Sequence, residues 1–453
     1  MNTYHEYLIQ TETLKPNSRI LNWTQTDRDE MYVFLCIAMA MNHVRKHRMK
    51  DYWEKDALFC TPAFGKLMTY DRFLLLLKHL HFYDKRTERP DDKFQKIKLI
   101  FDDMREKFTS KFKPFQDLCI DESLVLWRGR LAFRQYMPQK RHRFGFKIFE
   151  ICDVDSGYIL DFMLYTGAAT DIQFDPDLKF SGSVVKTLMT PYLGKGHNLF
   201  VDSWYTSPKL FEFLHENNTG ACGTVRPNRK HMPELPPIRR GEVVFSHKNN
   251  IMCIKWSDKR VVHVLTSIHT DKMVDTGKID RVTKNSIMKP EAVLEYTNKV
   301  RLIDKADMMM ATVNSLRKST TWYKKLFFHI LDMALLNSYY MFLVKTGKKP
   351  PFLDFSKSVI RQLLMKCSKP KHTSRPGRKP SAVSNPRRLI ERHFPSPVPT
   401  SHTGTKARRR CHVCAHTVRH DRKRQTTRWM CSECDVGLCL PECFRVYHTR
   451  ATF

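Results

Sequence analysis

The C-terminal part of this sequence concentrates residues that bind zinc. Six of its thirteen cysteines lie between residues 411 and 443, and four of them form two Cys-x-x-Cys pairs. Thiolates at this spacing converge on a tetrahedral Zn²⁺ ion, which takes four cysteine or histidine ligands in structural sites. Because so short a segment cannot build a stable core alone, metal binding should supply its folding free energy. The candidate ligands are Cys411, Cys414, Cys431, Cys434, Cys439, Cys443 and His448.

Seven ligands do not fill two four-coordinate sites, so a second zinc site needs one more. His416 and His420 are the two candidates for the eighth position. The alternative is that some cysteines are only buried thiols. That explanation fits Cys439 better than it fits the two Cys-x-x-Cys pairs, and we therefore predict two structural Zn²⁺ ions.

The net charge of the chain indicates a polyanionic partner. Lys and Arg number 78 against 46 Asp and Glu, which gives a formal net charge of +32 over 453 residues. Solubility requires far less charge than this. Nucleic acid is the default partner for such an excess, with ribosomal or heparin-like polyanions as alternatives.

Nothing in the sequence predicts secretion or membrane insertion. No basic segment followed by an apolar core opens the chain, and the apolar run from Met31 to Met41 is too short to cross a bilayer. The run from Leu326 to Val344 is interrupted by polar residues such as Asp332. We therefore expect a soluble intracellular protein, in which cysteines are thiols or metal ligands rather than disulfides.

Hydrophobic spacing divides the chain into segments of different character. Helical spacing dominates the beginning and the region before the linker, whereas short apolar segments typical of strands lie between them. The predicted segments are a helical region at 1–115, a mixed α/β region at 116–215, a β-rich region at 216–295, a second helical region at 296–365, a flexible linker at 366–410 and the zinc module at 411–453.

The linker is strongly basic. It contains thirteen Lys or Arg and a single acidic residue, Glu391, among many Pro and Ser residues. Such a segment can bind DNA phosphates without sequence preference. Its cluster Lys406-Ala-Arg-Arg-Arg also has the composition of a nuclear import signal, so we expect the protein in the nucleus.

Two aspartates follow short apolar segments that are predicted to form strands. Asp121 comes directly after Leu118-Cys-Ile, and Asp202 ends the segment that begins at Asn198. Carboxylates at strand ends can meet at one edge of a sheet and hold a metal ion, although a capping or turn role is the ordinary alternative. The order of strands and helices is consistent with an RNase H-like α/β domain, a pattern that many folds share at this level.

Several longer motifs are more specific. They are Asp51-Tyr-Trp, Leu118-Cys-Ile-Asp-Glu-Ser-Leu-Val-Leu-Trp-Arg-Gly-Arg, Phe144-Gly-Phe-Lys, Leu199-Phe-Val-Asp-Ser-Trp-Tyr-Thr-Ser-Pro, Tyr296-Thr-Asn-Lys-Val-Arg-Leu-Ile-Asp-Lys-Ala-Asp and Trp322-Tyr-Lys-Lys. These motifs resemble those of piggyBac-type DNA transposases and the host proteins derived from them. The resemblance covers nearly the whole chain.

The resemblance implies a multidomain α/β protein with an RNase H-like catalytic core. The N-terminal helices would serve dimerisation and DNA binding, the β-rich region would be an insertion, and the cysteine-rich module would bind transposon-end DNA. The family's members cut and paste DNA at TTAA-type sites. The implied partners are therefore double-stranded DNA and a second copy of the chain.

The resemblance also implies a catalytic site. Asp121, Asp202 and Asp304 would be the three catalytic aspartates, with Asp307 as an auxiliary carboxylate. Phosphodiester cleavage by two Mg²⁺ ions needs such oxygen ligands, because Mg²⁺ is a hard cation that takes carboxylates and water.

Other residues are candidates for DNA binding. Trp322 matches a family tryptophan that lies by the DNA ends, where it could stack on an unpaired base; core packing is its alternative. A basic patch could hold phosphates of the strand entering the site, although a solvated hairpin would show the same composition. The patch consists of Arg128, Arg130, Lys140, Arg141 and Arg143.

Two functions from different classes remain open at this point. The first is an active transposase, which the complete aspartate set favours. The second is a domesticated DNA-binding protein with weakened catalysis. Arg301 and Leu302 stand where the family has small residues, and Ser203 replaces a usual Asn. The chain also begins directly in the helical region, as a truncated or derived form would.

Overall fold

The N-terminal region folds into the helices that its apolar spacing predicts. Their starts follow ordinary capping chemistry: the side chain of Asp27 accepts a hydrogen bond from the Glu30 N–H at 2.8 Å, and Thr69 accepts one from the Arg72 N–H. In this computed structural model the α-helices of the region are α1 (Asn2–Thr11), α2 (Arg28–His43), α3 (Pro62–Leu67), α4 (Tyr70–His79) and α5 (Gln95–Lys111).

The chain divides into two units, Met1–Lys369 and Pro370–Phe453. The structure describes residues 1–89, 92, 94–138, 140, 143–279, 286–313, 315, 319, 321–367, 389, 392–400, 407–418, 425–450 and 452–453.

A mixed sheet forms the centre of the first unit. Its central strands have the order β4-β3-β1-β5-β6, in which β4, β1, β5 and β6 run in the same direction and only β3 runs antiparallel to them. Helices α6 (Lys179–Met189) and α7 (Pro208–Glu216) form the two crossovers. This arrangement confirms the predicted RNase H-like core. The strands are β1 (Asp117–Leu126), β2 (Gln135–Tyr136), β3 (Phe144–Asp153), β4 (Ile159–Leu164), β5 (Asn198–Val201) and β6 (Gly220–Thr224).

The β-rich region extends this sheet. Strand β9 pairs antiparallel with β6, and β8 and β7 continue outward from β9, while β10 and β11 form a separate two-stranded sheet. The predicted β-rich region thus contains strands, but no local pattern indicates that three of them join the central sheet. They are β7 (Val243–Lys248), β8 (Ile251–Ser257), β9 (Val261–Thr266), β10 (Met273–Ile279) and β11 (Ser286–Pro290).

The predicted helical block after the β-rich region is also present. Among the described helices, α10 alone is long and apolar enough to cross a membrane, but half of that stretch is buried in the protein. Buried Lys324, Lys325, Asp332 and Asn337 interrupt its apolar character, as expected of a core helix. The helices are α8 (Glu291–Lys299), α9 (Leu302–Met310), α10 (Trp322–Thr346) and α11 (Phe352–Cys367).

The second unit begins earlier than the sequence predicted. Most of the predicted linker lies outside the described residues, but Pro395–Pro397 forms strand β12 and pairs antiparallel with β15. Prolines and lost periodicity concealed this short strand. The elements are β12 (Pro395–Pro397), β13 (Arg409–Arg410), α12 (His412–His416), β14 (Thr426–Thr427), β15 (Trp429–Cys431), β16 (Val436–Gly437) and α13 (Glu442–Thr449).

One buried side chain fastens α10 to the sheet. The Asn337 amide donates to the Ile159 carbonyl and accepts from the Ile159 N–H, both at 2.8 Å. Asn337→Ala would leave both backbone groups without partners. We expect a loss of about 2–4 kcal/mol in the free energy of unfolding, since each unsatisfied buried group costs about 1–3 kcal/mol. Urea denaturation measures this, with exposed Ser338→Ala as the control. Equal midpoints for both variants would contradict the bridging role.

Candidate active site and zinc centres

Strand β1 carries the first candidate aspartate. Asp121 follows the fully buried residues Leu118, Cys119 and Ile120, which anchor the strand in the core. Its Oδ1 accepts a hydrogen bond from the Glu122 N–H at 2.8 Å. The carboxylate is therefore held in a fixed orientation by its own backbone.

The second aspartate lies beside the first because of strand register. Val201, the last residue of β5, pairs with Ile120 in parallel, so Asp121 and Asp202 come next on their two chains. The Trp204 N–H donates to Asp202 Oδ1 at 2.8 Å. The sequence prediction that both residues meet at one sheet edge is consistent with this register.

Helix α9 brings the remaining two aspartates to the same strands. Asp304 lies in its first turn and Asp307 one turn later, and the helix packs on β1 and β3. The side chain of Asp304 is 62% exposed. Burial is the largest cause that raises the pKa of Asp307 to about 8, and the nearby charge of Glu150 adds to it.

Two glutamates also belong to this region, and sequence reasoning missed both. Glu150 on β3 pairs directly with Asp121, is fully buried, and accepts a hydrogen bond from Ser123 Oγ at 2.7 Å. Its Oε2 is buried without a hydrogen-bond partner among the described residues. The available signal was one acidic residue inside the apolar run Phe146–Cys152. Glu122 accepts from the Tyr205 hydroxyl at 3.2 Å.

Lys140 is placed differently from its predicted role in a phosphate-binding patch. Its Nζ donates to the Glu122 carbonyl oxygen at 2.8 Å and to Asp304 Oδ1 at 3.1 Å. The ammonium therefore lies among the acidic residues. Lys140 lies in the hairpin between β2 and β3, which belongs to the predicted basic patch. Its side chain nevertheless points towards the carboxylates.

The acidic residues destabilise each other's charged forms. Burial first, and then the neighbouring Glu122 charge, raise the pKa of Asp121 to about 8, whereas Lys140 opposes the shift. Burial also raises the pKa of Asp202. Such a set of partly buried oxygen ligands fits a hard divalent cation, because a cation would offset their repulsion.

The closest groups of potential metal ligands nevertheless lie elsewhere. In the described part of the chain, two groups have all of their ligand atoms within 4.8 Å of one another, and both are in the second unit. The aspartates near β1 do not form so tight a group. Lys140 is the cation that directly contacts one of them.

The second unit contains two tetrads of potential metal ligands, which include all six predicted cysteines and His448. Cys414 Sγ and Cys443 Sγ are 3.5 Å apart, and Cys434 Sγ lies 3.6 Å from His448 Nε2. These distances match the edges of a tetrahedron with bonds of about 2.0–2.3 Å to zinc. The tetrads are Cys411, Cys414, Cys439 and Cys443, and His393, Cys431, Cys434 and His448.

The eighth ligand corrects our sequence prediction. His393 completes the second tetrad, with its Nδ1 at 3.4 Å from Cys431 Sγ. His416 lies in neither tetrad, and its Nδ1 faces the His412 carbonyl at 2.9 Å. His420 lies outside the described residues. Sequence reasoning overlooked His393 because this residue lies in the predicted linker, eighteen residues before the first cysteine. Only the pairing of β12 with β15 brings it close to the other ligands.

The ligands of the two tetrads alternate in pairs along the chain. His393 precedes the first Cys-x-x-Cys pair in the sequence but shares a tetrad with the second pair. Cys439 and Cys443 follow the second pair but share a tetrad with the first. The His448 Nδ1 faces the Phe444 carbonyl at 2.8 Å, an arrangement that leaves Nε2 for a metal. Each metal would therefore cross-link distant parts of this unit.

Comparison with known proteins identifies the family. A family model described as Transposase IS4 matches residues 6–339, and one described as a DDE_Tnp_1-like zinc finger matches residues 391–449. The chain belongs to the piggyBac transposase family. Its second unit is accordingly a zinc-finger domain.

Human relatives of this family show how far the similarity extends. The chain is 25% identical to piggyBac transposable element-derived protein 3 of Homo sapiens over 441 residues, covering 93% of this chain and 70% of that protein. It is 24% identical to piggyBac transposable element-derived protein 2 over 326 residues, covering 68% and 54%.

A solved structure establishes the piggyBac fold. The cryo-EM structure of the piggyBac transposase synaptic complex with hairpin DNA matches with a TM-score of 0.70 and 21% identity. The match covers 97% of this chain and 93% of that one. At this identity the likeness concerns the fold.

The remaining DNA-binding candidates of the piggyBac motifs are placed as follows. Arg128, Arg130 and Arg143 are exposed, whereas Arg141 lies outside the described residues. Trp322 is partly buried, with its ring 5.5 Å from that of Phe133 in an edge-on contact. The packing role of Trp322 is thus present in the structure, and part of its surface remains open.

Zinc content tests the revised ligand set. We expect about two Zn²⁺ per chain in the purified protein, and His393→Ala should lose the second ion on dialysis against a weak chelator, because three ligands hold zinc less tightly than four. Metal analysis by mass spectrometry measures this. His416→Ala is the matched control and should retain both ions. Loss of zinc from the control alone would reverse the assignment.

The raised pKa of Asp121 predicts a pH-dependent stability. The folded state keeps a proton that the unfolded state loses, so Asp121 lowers stability progressively as pH rises from about 4 to about 8. Asp121→Asn should therefore raise the melting temperature at pH 8 and have little effect near pH 4. Calorimetry in magnesium-free buffer measures it.

Asp175→Asn provides a control of opposite sign. The hydrogen bond from Lys186 lowers the pKa of the partly buried Asp175 carboxyl. This substitution should leave the melting temperature at pH 8 unchanged or slightly lower. A stabilisation by Asp121→Asn that is independent of pH would show that its cause is not the carboxylate charge.

Proposed function

We propose that this chain is a metal-dependent DNA transposase that cuts and rejoins DNA strands at TTAA-type sites. The observation that carries the proposal is the parallel register of β1 and β5, which puts Asp121 and Asp202 side by side. The helix with Asp304 and Asp307 packs on the same sheet. Family membership gives the reaction class.

The metal in this proposal is Mg²⁺, held by carboxylates of the site. Asp121, Asp202 and Asp304 would supply its protein ligands, with Asp307 as the auxiliary group. When bound in pairs, such ions would help to activate the attacking hydroxyl and to neutralise the leaving oxygen. All of the donor atoms are oxygens, which suits magnesium.

The chain's own groups prepare these carboxylates. The Glu122 N–H holds one oxygen of Asp121, and the Trp204 N–H holds one oxygen of Asp202. Lys147 lies 4.4 Å from the Trp204 ring centre and 3.8 Å from Glu122 Oε2. This partly buried cation reduces the repulsion among the carboxylates.

DNA would approach over the hairpin between β1 and β3. The exposed Arg128, Arg130 and Arg143 can pair with phosphates, and we include Arg141 from its sequence position. The open face of Trp322 would stack on an unpaired base. The solved piggyBac transposase complex contains hairpin DNA, which supports a DNA substrate here.

The zinc domain and the linker complete the proposal. The zinc domain would recognise transposon ends, and the thirteen basic residues between 366 and 410 would hold phosphates. We further propose that the protein acts as a homodimer in the nucleus. The resemblance to the family supports the dimer, and the basic cluster supports the location.

A second function is a domesticated DNA-binding protein with weakened catalysis. Leu302 packs against the main core, and Asp304, two residues later, is largely exposed and paired with Lys140. Bulk in place of small residues at 301 and 302 could hold the third aspartate away from the others. This observation favours binding without efficient cleavage.

Strand cleavage separates the two functions. Wild-type protein should nick a TTAA-flanked transposon end in Mg²⁺, and Asp121→Asn or Asp202→Asn should reduce nicking at least about a hundredfold, since metal-based charge stabilisation is worth several kcal/mol. DNA affinity should persist in both variants. Gel assays of cleavage and binding measure these outcomes, with Asp175→Asn as an active control.

Two results would count against an active transposase. Normal nicking by both variants would show that the site lies elsewhere. Undetectable nicking by wild-type protein that binds the end sequence tightly would favour the domesticated form.

A further inference from the structure

Lys140 stands apart from the other basic residues because its charge is directed into the carboxylate site. Its Nζ donates to Asp304 Oδ1 at 3.1 Å and to the Glu122 carbonyl at 2.8 Å. Asp304 is a proposed metal ligand, and Glu122 directly follows another one, Asp121. We propose that Lys140 is an internal counter-ion that competes with the divalent cation, and that metal binding releases it to a DNA phosphate. This inference rests on the proposed function.

Electrostatics explains why a cation is held there. Lys140 Nζ lies 3.1 Å from the Asp304 carboxylate, and its other partner, the Glu122 carbonyl, directly follows Asp121 on β1. A divalent cation on the same carboxylates would lie within a few ångströms of that ammonium. The two would repel, so binding of one weakens binding of the other.

Lys140 is also free to leave. Asp304 is 62% exposed, and the lysine side chain is 22% exposed on a connection between strands rather than inside one. Lys147, another cation near these carboxylates, is not movable in this way. Its ammonium lies over the rings of Phe149 and Trp204 at 4.7 and 4.4 Å. Of these two lysines, Lys140 is therefore the one that metal can displace.

A released Lys140 would join a DNA-facing surface. Arg143, three residues further along the same connection, is exposed. Linkage then requires a reciprocal effect: if metal frees the ammonium for phosphate, DNA bound through the ammonium must also favour metal. The lysine thus couples metal loading to DNA binding.

The first measurement is Mn²⁺ binding to the full chain, monitored through the electron paramagnetic resonance signal of free Mn²⁺. The Asp121→Ala variant measures Mn²⁺ binding at other sites of the chain, and this amount is subtracted. Lys140→Met and Lys140→Gln should bind Mn²⁺ roughly tenfold more tightly than wild type, because the competing charge is gone. Lys140→Arg should stay near wild type. The matched control is Lys186→Met, which removes a lysine on α6 that lies 2.8 Å from Asp175. This substitution should leave the Mn²⁺ affinity unchanged.

The second measurement is DNA affinity with and without metal. A fluorescent duplex is titrated in metal-free buffer and in Ca²⁺. Without metal, Lys140→Met should bind DNA like wild type, since the ammonium is held by Asp304. With Ca²⁺, wild type should bind more tightly than the variant by roughly threefold to tenfold, because one phosphate contact is lost.

The outcomes distinguish the counter-ion role, the release step and the proposed function from one another. Equal or weaker Mn²⁺ affinity in Lys140→Met and Lys140→Gln would overturn the counter-ion role while leaving the proposed metal site intact. A DNA defect of the same size in both buffers would show a permanent phosphate contact and overturn the release step. Absence of Asp121-dependent Mn²⁺ binding in every variant, including wild type, would overturn the proposed function together with the inference.

Discussion

The mutual repulsion of carboxylates in a small, partly buried region is the constraint around which this protein is organised. Strand β1 carries Asp121 and Glu122, its neighbour β3 carries Glu150, and β5 ends immediately before Asp202. Burial raises the pKa of several of these groups. A fold that only maximised stability would not place them together, because each lowers the stability of the others' charged forms.

The surrounding structure tolerates this arrangement because the sheet is anchored elsewhere. The residues before Asp121 are completely buried, and α10 crosses the same core with Asn337 bonded to the backbone of β4. Rigid strands then hold the carboxylates in place despite their repulsion. Cations complete the balance: Lys147 is fixed over two aromatic rings, whereas Lys140 reaches the site from a connection. The difference between a fixed and a movable cation gives the site a means of responding to metal and DNA.

The zinc domain solves a different problem. Its buried hydrophobic cluster is small, and it consists partly of its own metal ligands, Cys411 and Cys431. Too little apolar surface is buried to offset the entropy of ordering the chain, so the two metal sites must contribute. Alternation of the ligands between the sites ties His393 at one end to His448 at the other. Loss of one ligand should consequently affect the whole domain.

Local sequence patterns determined much of this protein. Apolar spacing predicted the helices and the strands, the Cys-x-x-Cys pairs predicted the zinc ligands, and the motifs around Asp121 and Asp202 identified the family, because each of these signals lies within a few neighbouring residues. Tertiary structure decided the rest. Glu150 reaches Asp121 only through strand register, His393 reaches its tetrad only through β12, and Lys140 turns inward only because Asp304 arrives on a helix more than 160 residues later. Contacts between distant segments depend on how elements pack together, and no local pattern in the sequence records that packing.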